Sequence, residues 1–289
     1  MLTYLTLTAG LFGLLVGSFL NVVIYRVPIV LMRGWRRECK EFLAEDSGVQ
    51  FPEESKDEAA FNIAFPRSHC PSCKKLVPAW CNIPILSYLI LKGRCLHCKV
   101  KISLRYPFVE LLTGIATAFV VFQYGLTIEA AAVLVFTWTL ISLTWIDIDH
   151  QLLPDSMTLP LMWLGLLLNA QGMFTDIHSA LYGAIAGYLS LWSVYWLFKL
   201  LTGKEGMGFG DFKLLAALGA WVGWQHLPAI IVLSSLVGAV LGTLNIVLSG
   251  QDKNKPIPFG PYLAIAGWIA FFWGEALLNH YLQFLNPTV

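Results

Sequence analysis

Three groups of side chains in this sequence have types and spacings that could do chemistry. The first is Trp145-Ile-Asp-Ile-Asp-His-Gln-Leu-Leu-Pro-Asp155, which crowds Asp147, Asp149 and Asp155 between two apolar runs. The second is Gly206-Met-Gly-Phe-Gly-Asp211, where Gly206, Gly208 and Gly210 permit close backbone approach just ahead of Asp211. Ionisable groups in or beside apolar spans are costly to keep there, so each is a functional candidate. Taken singly, both motifs also suit helix starts, where an aspartate meets free N–H groups and the positive end of the helix dipole; Asp155, after Pro154, is read mainly as such a cap. Taken together they offer more. Two carboxylates brought to one depth from different helices can share a proton, one activating water while its protonated partner polarises a carbonyl. Residue type alone does not choose Asp147 over Asp149.

The third group is Cys70-Pro-Ser-Cys73 and Cys95-Leu-His-Cys98, two Cys-x-x-Cys knuckles separated by 21 residues. Each gives two thiolates the short reach needed for half a tetrahedral zinc site. Four cysteines close the coordination sphere and leave no place for water, so the zinc is expected to be structural, stapling a segment with little core of its own. The competing reading, redox pairs or plain structural thiols, is disfavoured in a reducing cytosol. His69 and His97 could replace a ligand but read as solvated surface groups, and Cys39 and Cys81, without partner spacing, read as plain thiols. No Gly-x-Ser-x-Gly elbow, His-Glu-x-x-His or phosphate-binding loop offers other chemistry.

The elements that position these groups follow from composition. The 289 residues are 57% hydrophobic and only 13% charged, too apolar for one ordinary soluble domain. A net charge of +1 argues against nucleic acid as a partner. Spans are expected near Leu5 to Tyr25, Pro107 to Phe122, Ala130 to Ile146, Met157 to Met173, Ala180 to Leu201, Phe212 to Val222, Pro228 to Leu248 and Phe259 to Leu282. That is an all-α polytopic membrane protein of about eight helices, with a small zinc-ribbon-like insertion. The first 25 residues lack Lys, Arg, Asp and Glu, so they read as a retained helix and not a cleaved signal. Residues 26–106 hold 14 of the 19 Lys and Arg and form the polar insertion, whose part near Glu38 to Glu58 reads as flexible and acidic. The division is thus 1–25, 26–106 and 107–289. If the basic block is cytoplasmic, both termini lie outside, and Lys199, Lys204, Lys253 and Lys255 also fall inside. The opposite connections contain no Lys or Arg. The 11 Trp fit interfacial belts and need no cofactor.

Nearly end to end, the sequence resembles the type IV prepilin leader peptidases, also called prepilin peptidase/N-methyltransferases, which are aspartic proteases of the Gly-x-Gly-Asp type. The resemblance is carried by Gly17-Ser-Phe-Leu-Asn-Val-Val-Ile-Tyr-Arg-Val-Pro28, the paired knuckles, Arg105-Tyr-Pro-Phe-Val-Glu110, the Asp147 to Asp155 segment, Gly206 to Asp211 and Pro256-Ile-Pro-Phe-Gly-Pro261. It implies that Asp147 and Asp211 are catalytic; Asp149 is kept as the second choice or as a supporting group, with Gly208 and Gly210 also in support. It implies cleavage of the basic leader of prepilins and pseudopilins after Gly at the cytoplasmic face. N-methylation of the new terminal residue, usually Phe, would follow, with S-adenosylmethionine as donor. The acidic stretch near Glu41 to Glu58 would suit docking of the basic leader. No Rossmann fingerprint marks a methyl-donor site. The resemblance points to the insertion and Gly93, and Asn21, Arg26 and Glu110 are polar residues at helix ends that could line the pocket or simply anchor helices. Having both cysteines and insertion, the chain is expected to be bifunctional, in the inner membrane of a Gram-negative-like cell, with the bilayer and the pilus or type II secretion machinery as partners.

Two other function classes fit parts of the pattern. In a proton-coupled transporter Asp147 and Asp211 would carry protons, but binding there usually lies at mid-membrane between repeats, and none is seen. In a non-enzymatic assembly scaffold both aspartates would be dispensable.

Overall fold

The computed structural model describes residues 2–47, 61–249 and 258–285. Backbone in a bilayer has no water to bond, so apolar runs must satisfy themselves as helix. Among the described residues the structure is helical apart from connections and two isolated β-bridges. In order come α1 (Leu2–Ser47), a short α2 (Leu86–Ile90), α3 (Arg105–Tyr124), α4 (Ile128–His150), α5 (Asp155–Asn169), α6 (Ile177–Thr202), α7 (Phe209–Val222), α8 (Leu227–Ser249) and α9 (Gly260–Leu285). Six of these, α1, α3, α4, α6, α8 and α9, are long and apolar enough to cross a membrane. The other two expected spans are helices of 15 and 14 residues. At 1.5 Å per residue they reach only about 22 and 21 Å, against a hydrocarbon core of roughly 30 Å.

The first helix does not end where its apolar run ends. It passes Tyr25, Pro28 and a run of Arg and Lys to reach Ser47. Proline removes one backbone hydrogen bond, and here the helix carries on beyond it, with Arg37 and Glu41 paired at 3.9 Å one turn apart. Residues 38–47, expected to be irregular, are therefore helix. The rest of the acidic stretch, through Glu58, lies outside the described residues, as do Lys253, Lys255 and Pro256.

The chain divides into two compact units, Met1–Trp138 and Thr139–Val289. In the first, α1 and α3 pack antiparallel along a seam of small residues. A Cβ on Gly13 would come within 2.6 Å of Thr117, and one on Gly17 within 2.7 Å of the Glu110 Cα. Only glycine allows that approach, the usual device for holding helices together in lipid. Trp138 closes the seam by donating its indole N–H to Thr117 Oγ1 at 3.0 Å.

The second unit is built around α7. From Asp211 to Val222 every residue of it except Lys213 is buried, because α5, α6 and α9 pack around it. Gly183 and Gly187 of α6 lie against the backbone at Gly219 and Leu215, while Gly165 of α5 makes room for Trp221, whose indole donates to the Leu161 carbonyl at 2.8 Å. One end of this bundle gathers Asn169, Ser179 and Gln225; Asn169 Nδ2 donates to the Ala220 carbonyl at 2.8 Å, and Ser179 Oγ contacts Gln225 Oε1. The opposite end gathers the C-terminus of α4 and the N-termini of α5, α7 and α9.

Candidate active site

That opposite end holds two buried carboxylates. Asp147 sits in the last turn of α4 at 5% exposure, and Asp211 in the first turn of α7 at 7%. Asp147 Oδ2 accepts the backbone N–H of Gly260, the first residue of α9, at 3.0 Å. A Cβ at position 260 would lie 2.7 Å from that oxygen, so glycine is what lets the α9 terminus reach the carboxylate. Asp211 is the third residue of α7 after the cap Gly208, whose backbone hydrogen-bonds its carboxylate, the reach-back of a capping box. Leu153 joins the two positions: its side chain meets any Cβ built at Gly210 at 2.7 Å and at Gly260 at 3.2 Å. The carboxyl groups lie within electrostatic reach of each other. Beside them Tyr195, Phe209 and Phe212 form an aromatic cluster with ring centroids 5.2 to 5.7 Å apart.

The other acidic candidates separate from this pair. Asp149, two residues after Asp147, is exposed on the outer face of α4, next to an exposed Ile148. Asp155 makes no capping bond. Its carboxylate is instead bidentate to Lys213 Nζ at 2.6 and 2.8 Å, tying the start of α5 to α7, which replaces the expected cap. Gly206 packs on the Phe198 ring, and Gly208 has room for a Cβ, with Asp211 Oδ2 at 3.7 Å; the tight position is Gly210.

In the first unit the cysteines form two matching knuckles. Cys70 N–H donates to the Lys75 carbonyl and Cys95 N–H to the Val100 carbonyl, both at 2.9 Å. In each, the lysine after the second cysteine adopts a positive φ, 58° at Lys74 and 60° at Lys99. The sulfurs of Cys70, Cys73, Cys95 and Cys98 lie within 4.8 Å of one another, and Cys70 and Cys98 are 3.8 Å apart. A zinc–sulfur bond of about 2.3 Å in a tetrahedron implies sulfur separations of about 3.8 Å, so the set fits zinc. Backbone N–H groups of Cys98 and His97 lower the Cys95 thiol to about 6. Cys73, although it accepts from Lys75, is pushed up to about 11 by desolvation and the neighbouring sulfurs. Gly93, at φ +66°, underlies the second knuckle: a Cβ there would strike the Tyr88 hydroxyl at 2.7 Å.

Asn21, Arg26 and Glu110 are all buried. Arg26 donates to the carbonyls of Asn62, Ile63 and Pro66 and lies over the Phe61 ring, fastening residues 61–66 to α1. Asn21 Nδ2 donates to the Tyr106 carbonyl at 3.1 Å, and Glu110 Oε2 accepts the Ile85 N–H at 2.8 Å.

Both units have counterparts among known proteins. Residues 11–124 match the Bacterial Peptidase A24 N-terminal domain, and residues 134–243 match the Type IV leader peptidase family. A protein of Stutzerimonas stutzeri is 55% identical over 281 residues, covering 96% of this chain and 94% of that one. The chain belongs to the prepilin leader peptidase/N-methyltransferase family. Relatives bearing that name in Pseudomonas aeruginosa and Neisseria gonorrhoeae are 54% and 51% identical, over 95% and 91% of this chain and 92% and 88% of their own. No solved structure matches the chain significantly.

Sequence reasoning gave no role to two residues that shape this leader peptidase's aspartate pair, Leu153 and the Gly260 it quoted only as part of a motif, nor to Lys213, which pairs with Asp155. Gly260 stands between Phe259 and Pro261 at a helix start, a signal for close approach that became specific only when α9 was seen to end on Asp147. Leu153 and Lys213 carried no signal distinguishing them from other apolar or basic residues near helix ends.

Proposed function

We propose that the protein removes the basic leader of type IV prepilins and type II secretion pseudopilins after a glycine at the cytoplasmic face, then N-methylates the new terminal residue with S-adenosylmethionine. The observation that carries this reading is the pair Asp147 and Asp211, buried on separate helices and gathered around Leu153. With one carboxyl ionised and the other protonated, the first takes a proton from water while the second donates to the scissile carbonyl oxygen. The Gly260 N–H holds one oxygen of Asp147, leaving the other for the water. Asp149, exposed, plays at most a supporting part.

The same geometry supports a sidedness. The chain is at the aspartate end at residues 147–155, 204–211 and 258–260, and at the far end at 169–179 and 223–227. The short α5 and α7 thus each carry it across, which favours eight crossings with both termini periplasmic. The aspartate end carries Lys199 and Lys204, and the far connections carry no Lys or Arg, as expected if it faces the cytoplasm. Zinc on Cys70, Cys73, Cys95 and Cys98 would be structural, since four thiolates leave no open position. Methyl transfer belongs to the first unit, where Gly93 acts through Tyr88 and Asn21 and Glu110 contribute polar groups near the seam.

The test is reconstitution with a prepilin and S-adenosylmethionine, with products read by mass spectrometry. A mature peptide one methyl group heavier than the cleaved form is expected from the wild type. Asp211→Asn should leave the leader attached yet still methylate a peptide supplied already trimmed. Cleavage by Asp211→Asn at the wild-type rate would refute the reading.

A further inference from the structure

The α1–α3 seam holds a cluster of hydrogen-bond acceptors that peptide cleavage does not use. Ser18 and Asn21 lie one turn apart on α1, and Tyr106 and Glu110 one turn apart on α3, facing each other. Asn21 is 4% exposed. Its Nδ2 donates to the Tyr106 carbonyl, which fixes the amide and leaves Oδ1 buried without a partner. Glu110, 8% exposed, gives one oxygen to the Ile85 N–H, and Ser18 also bonds it; no basic side chain is among the groups acting on it. A buried carboxylate and an orphaned amide oxygen are costly unless a donor, best a cationic one, satisfies them. A primary ammonium brings three N–H donors and a positive charge.

The cover of this cluster also suits a peptide end. Ile85, the residue Glu110 holds, has φ 58° and ψ −50°, a strained geometry for a β-branched side chain. Around it Ile83, Leu86, Leu89 and Ile90 are all exposed, an apolar surface beside the acceptors. A ligand that takes the carboxylate would release this strained turn.

We infer that Glu110 and Asn21 are the amine site of the methyl transfer: they bind the α-ammonium of the trimmed substrate, and Glu110 accepts its proton. This rests on the methyl transfer proposed above. An ammonium has no lone pair, so its proton must leave before the nitrogen can react. The freed lone pair then attacks the methyl carbon of the donor's sulfonium. The carbon–sulfur bond breaks with its electron pair on sulfur, leaving a neutral thioether and a methylated ammonium. Glu110 afterwards returns its proton to water.

The test uses Glu110→Gln in the full-length protein, because Gln still accepts the Ile85 N–H but cannot take a proton. Methylation of trimmed peptide near neutral pH should fall by roughly 30-fold and recover as pH rises past the ordinary α-amine range of about 7.7–8.0. Cleavage of full prepilin and binding of S-adenosylmethionine alone should be unchanged. As a check needing no variant, trimmed peptide with a free amine should bind the wild type at least ten times more tightly than its N-acetylated form, measured without methyl donor. Unchanged methylation in Glu110→Gln, equal binding of the two peptides, or a pH-independent loss with lost donor binding would each overturn the inference. If the wild type itself fails to methylate, the function proposed above falls, and this inference with it.

Discussion

Asp147 and Asp149 stand two residues apart, which on a helix turns them by about 200° and puts them on opposite faces. Each follows an isoleucine, so composition could not say which face was inside; burial of Ile146 and exposure of Ile148 put Asp147 on the inner face. The glycine that completes the site was illegible for a different reason: Gly260 lies 113 residues from Asp147, and only the fold brings them together. Gly260→Ala should therefore push the Asp147 carboxylate aside and lower the cleavage rate by roughly 100-fold, since misplacements of about 1 Å cost that much. Thermal stability in detergent should hardly change, and a normal rate would show that the Gly260 contact is dispensable. The Asp155–Lys213 pair is half exposed, 54% and 28% at the side chains, so its removal should cost no more than about 1 kcal/mol. Asp155→Asn should accordingly keep most of its activity, with a slightly lowered midpoint in a melting experiment.

At the scale of elements, the helices were legible as apolar runs, and the knuckles as cysteine spacing. The extension of α1 to Ser47 was not, because Pro28 and the basic residues after Tyr25 imitate a helix end and a membrane boundary. The shortness of α7 was legible, since its expected span ran only from Phe212 to Val222, but its shielding by α5, α6 and α9 was not, because periodicity does not reveal what surrounds an all-apolar segment. The knuckles make a quantitative prediction. Zinc binds thiolates, so Cys73, held protonated up to about 11, must release its proton when metal enters at pH 7. Calorimetry in buffers of differing ionisation heat should register at least one proton released per zinc. Cys95, whose lowered value keeps it ionised at neutral pH, adds a second proton to be displaced below about 6, so affinity, already falling with pH because of Cys73, should decline more steeply there. Zinc uptake without proton release would exclude the four-thiolate site.

For the molecule as a whole, the bulk composition announced a membrane protein, and the motif order announced its family; the internal division at Trp138, inside α4, was not foreseen because no polar linker marks it. The eight crossings proposed above predict that Cys introduced at exposed Gln151 or Lys204 reacts only from the cytoplasmic side, and at exposed Gln171 or Trp224 only from the periplasmic side. Labelling of Gln151→Cys by an impermeant thiol reagent in intact cells would reverse that orientation. The account depends most on a single buried aspartate pair, and the most direct test compares initial rates of leader removal by Asp147→Asn and Asp149→Asn, each with zinc content and melting curve as folding controls. The predicted result is a loss of roughly 1,000-fold or more for Asp147→Asn and a change of no more than about 10-fold for Asp149→Asn. Wild-type cleavage by a folded Asp147→Asn protein would contradict it.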